Sequence, residues 1–248
     1  MTDLYDAEVR FGQSLYGYQL DLETLNRQME RHGIARAVLC PVRPPSYDLS
    51  PANDAVAAAV ASDPTRFVGF ARVDPWQGER ALAELDRAVG DLGLRGLYLD
   101  PWEDHFVISD ALVDPLVARA AAGKLPVMVT GGYTNFSHPS QLAALARRHP
   151  EATIVATHGG QLNISGLLLA DAQIMLRLAP NVIIETSGVY REDFIEDCIA
   201  EFGPGRVLFG SGTPIFDQGY ETLRIRLAHV DDAVKQQIGW DNIARLVG

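Results

Sequence analysis

Charged side chains at the ends of short apolar runs are the residues of this sequence best suited to chemistry. Glu8 and Arg10 lie two positions apart at the end of the first run, so on a strand they point to the same face. A carboxylate beside a guanidinium places an acid–base group next to a cation that can hold a carboxylate through two hydrogen bonds. An internal ion pair is the structural alternative, but a buried pair adds little net stability. We therefore predict that Arg10 binds an anionic group and that Glu8 takes part in proton transfer.

His158 is the strongest single candidate for a catalytic residue in the sequence. It directly follows the apolar run over residues 153–157, and Gly159 and Gly160 then let the backbone turn away. Imidazole exchanges protons near neutral pH, so His158 is a candidate acid–base group. Glu185 ends another apolar run and is a third catalytic candidate. The other histidines fall in helical segments or loops, where we expect solvated or surface positions: His32, His105, His138, His149 and His229.

Polar and aromatic residues also follow the fourth, fifth and eighth apolar runs. Tyr98 and Asp100 share a face by the same alternation, and aromatic side chains beyond the strand ends are suited to wall a pocket. We predict that these residues bind a small-molecule substrate: Tyr98, Asp100, Trp102, Thr130, Tyr133 and Thr213.

Eight β-rich runs, each followed by an amphipathic stretch, have to position these residues. The runs cover residues 4–9, 35–42, 67–73, 94–99, 126–129, 153–157, 182–185 and 207–209. The stretches cover residues 22–32, 52–62, 79–89, 112–122, 140–148, 166–178, 191–202, 220–230 and 231–246. This alternation is typical of a parallel α/β fold, and we predict a closed (β/α)8 TIM barrel with its site at the C-terminal ends of the strands. An open doubly wound sheet is the alternative, but no GxGxxG motif follows the first strand.

The composition limits the partners and the compartment. The chain has 248 residues without a linker or composition break, so residues 1–248 are predicted to form one domain. Its formal net charge of −11 repels phosphate backbones and anionic lipids, so neither nucleic acid nor a membrane is expected as a partner. Cys40 and Cys198 have no metal or disulfide spacing, and no signal peptide is recognisable at the N-terminus. We expect a cytoplasmic protein.

Several segments together carry a family resemblance. Residues 240–248 read WDNIARLVG, and further motifs are LPVMV at 125–129, HGG at 158–160 and RVLFGS at 206–211. They resemble the terminal helix and the fifth, sixth and eighth strands of the amidohydrolase-related group of the amidohydrolase superfamily. That group includes aminocarboxymuconate-semialdehyde decarboxylase and related decarboxylases and hydrolases. The resemblance runs nearly end to end, and it implies a TIM barrel, hydrolysis or decarboxylation, and a possible homodimer.

The resemblance also implies a divalent metal, whose usual ligands are mostly missing here. The group binds it through an HxH motif on strand one, a histidine on strand five or six and an aspartate on strand eight. Glu8 and Arg10 stand at the two histidine positions of strand one. Thr130 replaces the strand-five histidine and Gly212 the aspartate, so only His158 matches. One imidazole and one carboxylate fall short of the three ligands of a catalytic zinc site, and we predict no metal and no other cofactor.

Three functions remain open at this point. The one we favour is a metal-independent enzyme that hydrolyses an ester, lactone or amide, or decarboxylates a small anionic substrate, with Glu8 and His158 sharing the acid–base work. The second is a non-catalytic barrel that binds a small molecule or a partner protein, because the strand-eight aspartate is missing. The third is a metal-dependent hydrolase with Glu8, His158 and Glu185 as atypical ligands.

Overall fold

Strands and helices alternate along the chain, as the sequence predicts. The structure is a computed structural model and describes residues 3–161, 167–191 and 193–248. Within these ranges the strands are β1 (Leu4–Gln13), β2 (Gln19–Leu20), β3 (Ile34–Pro41), β4 (Phe67–Gly69), β5 (Ala71–Arg72), β6 (Leu97–Leu99), β7 (Val127–Val129), β8 (Ile154–Ala156), β9 (Val182–Glu185) and β10 (Val207–Leu208). β2 forms a short antiparallel hairpin with the end of β1, which the sequence did not predict.

The parallel strands close into a barrel. β4 and β5 are two parts of one barrel strand, because β4 pairs with β3 and β5 pairs with β6. The ring closes between β1 and the segment after β10, where the Ala7 amide donates to the Phe209 carbonyl and the Gly212 amide donates to the Glu8 carbonyl, both at 2.9 Å. The predicted (β/α)8 barrel is confirmed, and the open-sheet alternative is wrong.

Helices surround the barrel at the positions that the amphipathic stretches predict. They are α1 (Leu22–His32), α2 (Ser50–Ser62), α3 (Glu79–Gly90), α4 (Asp114–Ala122), α5 (Pro139–Arg148), α6 (Leu167–Leu178), α7 (Asp193–Phe202), α8 (Gln218–Leu227), α9 (Asp232–Gln236) and α10 (Asn242–Val247). A π-helical segment, Gln237–Asp241, joins α9 to α10. The predicted helices over 166–178 and 191–202 include residues 166 and 192, which lie outside the described residues. Among the helices described, none has the length and apolar character needed to span a bilayer.

The mouth of the barrel is its opening at the C-terminal ends of the strands. Below it the interior is apolar, and the C-terminal helix closes the opposite end. Inward side chains of the strands form one buried cluster, which includes Tyr5, Ala7, Cys40, Phe70, Tyr98, Met128, Val155 and Leu208. Ile243 and Val247 of α10 belong to this cluster, and the ring of Trp240 lies 5.4 Å from that of Tyr5. The segment that resembles the family's terminal helix therefore plugs the barrel at the end opposite the strand C-termini.

A bulge in β1 decides which of its side chains reach the mouth. Tyr5 and Ala7 face the interior, whereas Val9 packs in the layer between strands and helices. The register against β3 shifts between Asp6 and Val9, so one extra residue is accommodated there. Because of this shift, Glu8 is also buried towards the interior, next to Ala7 rather than opposite to it.

Candidate active site at the mouth of the barrel

Arg10 is the centre of a buried polar cluster at the C-terminal ends of the strands. Its Nε donates to Glu8 Oε1 at 3.2 Å, and its Nη1 donates to Asp100 Oδ2 at 3.1 Å. Nη2 lies 3.4 Å from Thr130 Oγ1 and 3.5 Å from His158 Nε2. The side chain is only 3% exposed. Every nitrogen of the guanidinium therefore already faces a partner inside the protein.

On one side of Arg10, hydroxyl groups hold the carboxylate of Asp100. Thr130 Oγ1 donates to Asp100 Oδ2 at 3.0 Å, and the phenol of Tyr98 lies 2.9 Å from Thr130 Oγ1 and 3.3 Å from Asp100 Oδ2. The amide of Glu103 donates to the other carboxylate oxygen of Asp100. Burial alone would raise the pKa of Asp100, but Arg10 and Arg72 hold it below its usual value. Asp100 is thus a fixed anion beside the central cation.

On the other side, Ser187 connects Glu8 to Glu185. Its Oγ lies 3.2 Å from Glu8 Oε2 and 2.8 Å from Glu185 Oε2, and its amide donates to Glu185 Oε1 at 2.6 Å. The side chains of all three residues are fully buried. Burial, followed by the charge of Glu8, raises the pKa of Glu185 well above its usual value. Glu185 therefore favours the protonated form.

His158 adopts a left-handed backbone conformation, which is uncommon for a residue other than glycine. Its φ and ψ angles are 60° and 28°, in the left-handed region, which costs a side-chain-bearing residue about 1–2 kcal/mol. The conformation directs its amide to Glu185 Oε2 at 3.2 Å. Its Nδ1 lies 2.9 Å from Ser187 Oγ. Burial, and then the charge of Arg10, lower the pKa of His158 although Glu8 opposes them, so the neutral imidazole is favoured.

Aromatic residues line the rim above this cluster. The rings of Trp102 and Tyr133 are stacked, with centroids 5.4 Å apart and an interplanar angle of 12°. Tyr16 packs against Trp102 at 4.9 Å. Phe216 lies edge-on to His158, with ring centroids 5.4 Å apart.

The structure brings the three catalytic candidates together with most of the predicted binding residues. Glu8, His158 and Glu185 converge on Ser187, and Arg10 joins them to Asp100. Tyr98 and Thr130 also belong to the cluster, and Trp102 and Tyr133 form its rim.

The binding role of Thr213 stays a prediction, whereas the placement of His149 needs correction. The carbonyl oxygen of Thr213 accepts the Arg10 amide at 2.8 Å. Thr213 and Phe216 both line a groove of about 620 Å³ beside α1. His149 is not solvated: it is 8% exposed and its Nε2 lies 2.8 Å from Asp114 Oδ1, because it follows the last turn of α5 and packs against α4. These positions depend on packing that sequence periodicity does not specify.

Several residues of the cluster were missed from the sequence. Ser187 lies two residues after Glu185, so the alternation rule could have placed it on the same face. Glu103 accepts from the Tyr18 phenol at 2.6 Å and from Arg72 at 2.7 Å, and it lies in a loop where periodicity gives no signal. Arg72 is fully buried and also pairs with Asp104. This second layer of charges fixes the loop that carries Asp100.

The donor set does not fit a divalent metal, although three potential ligands come close together. One ligand atom each of Glu8, His158 and Glu185 lies within 4.8 Å of the others. However, Nε2 of His158 faces the guanidinium of Arg10, and Nδ1 faces the hydroxyl of Ser187. Both ring nitrogens are therefore already engaged, and the fixed charge of Arg10 opposes a second cation.

The position of the family's aspartate is also filled. Gly212 has a φ of +59°, and a Cβ placed on it would lie 2.9 Å from Phe216 Cδ2 and 3.1 Å from Ser187 Oγ. A side chain at this position would require Phe216 and Ser187 to shift.

Comparison with known proteins finds that the chain is similar to a family model and to individual decarboxylases. A family model described as Amidohydrolase matches residues 48–248. Gamma-resorcylate decarboxylase of Polaromonas sp. strain JS666 is 24% identical over 277 aligned positions, which cover 89% of this chain and 85% of that protein.

Solved structures show the same fold. A 2,6-dihydroxybenzoate decarboxylase complexed with 2,6-dihydroxybenzoate superposes with a TM-score of 0.82 and 20% identity, covering 100% of this chain and 99% of that one. A dihydroxybenzoic acid decarboxylase from Polaromonas sp. JS666, with bound manganese and the inhibitor 2-nitroresorcinol, gives a TM-score of 0.76 and 19% identity, covering 100% of this chain and 97% of that one.

Proposed function

The chain belongs to the amidohydrolase family, and from that premise we propose that it is a carboxy-lyase that removes CO2 from a small aromatic carboxylic acid without a divalent metal. The observation that carries the proposal is the cluster around Arg10, where one buried cation meets Glu8, Asp100 and His158. The relatives named above act on, or are bound to, dihydroxylated aromatic acids, which gives the substrate class.

Arg10 is the group that receives the substrate carboxylate. A guanidinium binds a carboxylate through two parallel hydrogen bonds, but here its donors already serve internal partners. An incoming carboxylate must therefore displace one of them. The contact from Nε to Glu8, at 3.2 Å, is one that a substrate can replace because Glu8 keeps Ser187 as a second partner. Binding of the acid then frees Glu8 from the guanidinium.

The reaction needs one proton at the carbon that carries the carboxylate. In decarboxylation the bond between that carbon and the carboxylate breaks, its electron pair stays on the carbon, and a proton takes the place of the departing CO2. Glu8 is the acid–base group next to Arg10, so a substrate held by Arg10 has its ring carbon beside Glu8. His158 orients the site from the other side of the guanidinium. The aromatic rim of Trp102 and Tyr133 suits the face of the substrate ring.

Arg10 also supports the metal-independent part of the proposal. It supplies a permanent positive charge in contact with Glu8 and His158, two of the three residues that come close enough to hold an ion. The structure of the related dihydroxybenzoic acid decarboxylase contains manganese, a divalent cation. In this chain, the guanidinium provides the charge that stabilises a carboxylate in a buried site.

The test is direct turnover of aromatic acids. Purified protein is incubated with 2,6-dihydroxybenzoate, 5-carboxyvanillate and benzoate, and the released CO2 and the decarboxylated ring are quantified with and without EDTA. We expect equimolar CO2 and ring product from a hydroxylated acid, insensitive to EDTA and lost in Arg10→Met. Absence of CO2 from every aromatic acid would overturn the proposal, and binding without turnover would favour a non-catalytic small-molecule-binding barrel. Activity that EDTA abolishes and Mn²⁺ restores would overturn metal independence.

A further inference from the structure

A polar groove of about 620 Å³ runs between α1 and the segment that follows β10, and we call it the α1 groove. The residues of α1 that line it are spaced three or four positions apart, so they share one face of the helix. The two walls consist of Thr24, Arg27, Gln28, Arg31 and His32 from α1, and of Thr213, Pro214, Phe216, Asp217 and Gln218 from the other segment.

The charges of the α1 groove favour anions, although the chain as a whole is acidic. Arg31 forms no ion pair with any described residue. Arg27 pairs with Glu23, but both side chains are exposed, so the pair is weak and a ligand can replace it. Among the described residues that line the groove, Asp217 is the only carboxylate, and it already accepts the Tyr220 amide at 2.8 Å. Two guanidinium groups therefore create a local positive field that attracts organic anions.

The inner end of the α1 groove is built by residues that contact the Arg10 cluster. Phe216 lines the groove, and its ring lies edge-on to that of His158 with centroids 5.4 Å apart. Thr213 lines it too, and its carbonyl oxygen accepts the Arg10 amide at 2.8 Å. One layer of residues therefore separates the groove from the cluster, and Phe216 has the largest side chain in that layer.

Two glycines make room for the ring of Phe216. A Cβ added to Gly188 would lie 2.5 Å from Phe216 Cζ, and one added to Gly212 would lie 2.9 Å from its Cδ2. Both contacts are closer than a real Cβ allows, so any other residue at these positions would push the ring out of its place. The ring is thus seated between the groove and His158 by packing alone.

Phe216 is the part of the wall that can move at the lowest cost. An acid can reach Arg10 only when a neighbouring side chain moves, because Arg10 is 3% exposed. The aromatic rim is tied down: Trp102 is stacked on Tyr133, and Tyr16 packs on Trp102 and donates to a backbone carbonyl of the loop after β6 at 3.1 Å. The Phe216 ring can turn about its side-chain bonds without breaking a hydrogen bond, since a phenyl group forms none.

We propose that the α1 groove is the entrance through which the aromatic acid reaches Arg10, and that Phe216 is the gate of this entrance. The inference rests on the proposed function, because it takes an aromatic carboxylic acid as the molecule that enters. Arg27 and Arg31 hold its carboxylate transiently, and Phe216 packs against its ring. When Phe216 turns aside, the carboxylate passes to Arg10. These groove residues act on the arrival of the acid and not on the bond that breaks.

The role of the charges is tested by the rate of binding. Association of 2,6-dihydroxybenzoate is followed by stopped-flow protein fluorescence at several salt concentrations. Arg31→Glu should lower the association rate constant about 10-fold at low salt, because steering by a local field contributes at least that much. The difference should vanish in about 1 M NaCl, where charges are screened beyond about 3 Å. Arg80→Glu makes the same charge change at an exposed position on α3 and should alter the rate far less. Equal effects of the two variants would overturn the entrance.

The gate is tested by the rates of binding and release together. Phe216→Ala should raise the association and dissociation rate constants about 10-fold each and change Kd less, because a gate alters the path and not its two ends. Phe216→Trp should lower both rates. Ile215→Ala is the neighbouring control, since Ile215 is 44% exposed, and it should bind as the wild type does. Unchanged rates in Phe216→Ala, or a change in dissociation alone, would overturn the gate. If this variant does not fold, judged by circular dichroism, Phe216→Leu and the surface variant Arg31→Glu carry the test.

These experiments separate the two proposals, because binding rates do not depend on turnover. If the rates behave as expected but no aromatic acid releases CO2, the proposed function fails while the entrance stands. If CO2 is released and the groove variants bind at the wild-type rates, the function stands and the entrance fails. If no aromatic acid binds at all, both fail.

Discussion

The guanidinium of Arg10 lies 3.5 Å from the ring nitrogen Nε2 of His158. A metal ion bound to His158 would need a free imidazole nitrogen, and Nε2 already faces the guanidinium. Since Arg10 also contacts Glu8 at 3.2 Å, the cation binds to two of the groups that a metal would need. The site is therefore organised around the positive charge of Arg10, which is part of the chain and cannot dissociate as a bound ion can.

We predict that the purified protein carries no stoichiometric zinc, manganese or iron. Arg10 and Ser187 engage both nitrogens of His158, and Gly212 supplies no carboxylate ligand. Mass-spectrometric metal analysis after purification without chelator should give far less than one ion per chain. Titration with Mn²⁺, followed by electron paramagnetic resonance, should show no tight site. A value near one ion per chain would refute the prediction.

Much of the fold was predictable from the sequence because strand and helix periodicities are local. The bounds of α1 and β9 agree with the predicted ranges, and the two-residue spacing correctly placed Glu8 and Arg10 on one face. Alternation alone did not predict which way that face points, because the bulge between Asp6 and Val9 shifts it. A bulge depends on pairing between distant strands, so periodicity within β1 cannot reveal it.

The candidate site was predictable only where residues end strands. His158 and Glu185 follow this rule, and both lie in the cluster. Glu103 and Arg72 were not found, because their roles come from an ion pair at 2.7 Å between a loop and a broken strand. Contacts of this kind are long-range and leave no pattern in local sequence.

Two substitutions of Arg10 should separate the effect of its positive charge on acid binding from the effect of its planar shape. Arg10→Lys keeps the charge but loses the planar fork, so affinity for aromatic acids should fall substantially; Arg10→Met should abolish it. The methionine variant also leaves Glu8 and Asp100 without their cation, and we expect a loss of about 3–5 kcal/mol in the free energy of unfolding. Calorimetry with benzoate and denaturant unfolding measure the two effects. Equal affinity for benzoate and neutral benzamide would instead show that Arg10 is only a structural counterion.

Asp6 should make the free energy of unfolding depend on pH. Burial raises its pKa to about 6 despite hydrogen bonds from Ser211 and Gln218. Because the folded pKa lies above the unfolded value of 3.8, the stability that Asp6 contributes is fully present below about pH 4 and is lost as the pH rises through 6. The loss should reach about 3 kcal/mol. Urea unfolding of the wild type and Asp6→Asn from pH 4 to 7 isolates this contribution, and a constant difference between them would contradict it.

A side chain at Gly212 should lower the stability of the fold. In Gly212→Ala the new Cβ would approach Phe216 to 2.9 Å and Ser187 to 3.1 Å, and the φ of +59° adds strain of about 1 kcal/mol. Gly93→Ala is the matched control, because its φ is +71° but nothing lies within 4 Å of the added Cβ. We expect the Gly212 variant to lose more stability in thermal unfolding than the Gly93 variant. Equal losses would mean that the space beside Ser187 is not filled as described.

The stacked pair Trp102 and Tyr133 should distinguish aromatic from aliphatic acids. Their rings lie 5.4 Å apart and nearly parallel at the rim, so a substrate ring can pack against them while its carboxylate reaches Arg10. Trp102→Ala should weaken the binding of hydroxybenzoates about 10-fold, the equivalent of about 1.4 kcal/mol of aromatic contact, and leave acetate binding unchanged. Trp76→Ala provides the control, since Trp76 is 62% exposed and its indole donates to the His105 carbonyl outside the stack. Calorimetric titration of both variants with 2,6-dihydroxybenzoate and acetate measures the difference. If the two variants lose affinity alike, or if acetate binding falls with that of the aromatic acid, the rim does not recognise the ring and Arg10 alone determines binding.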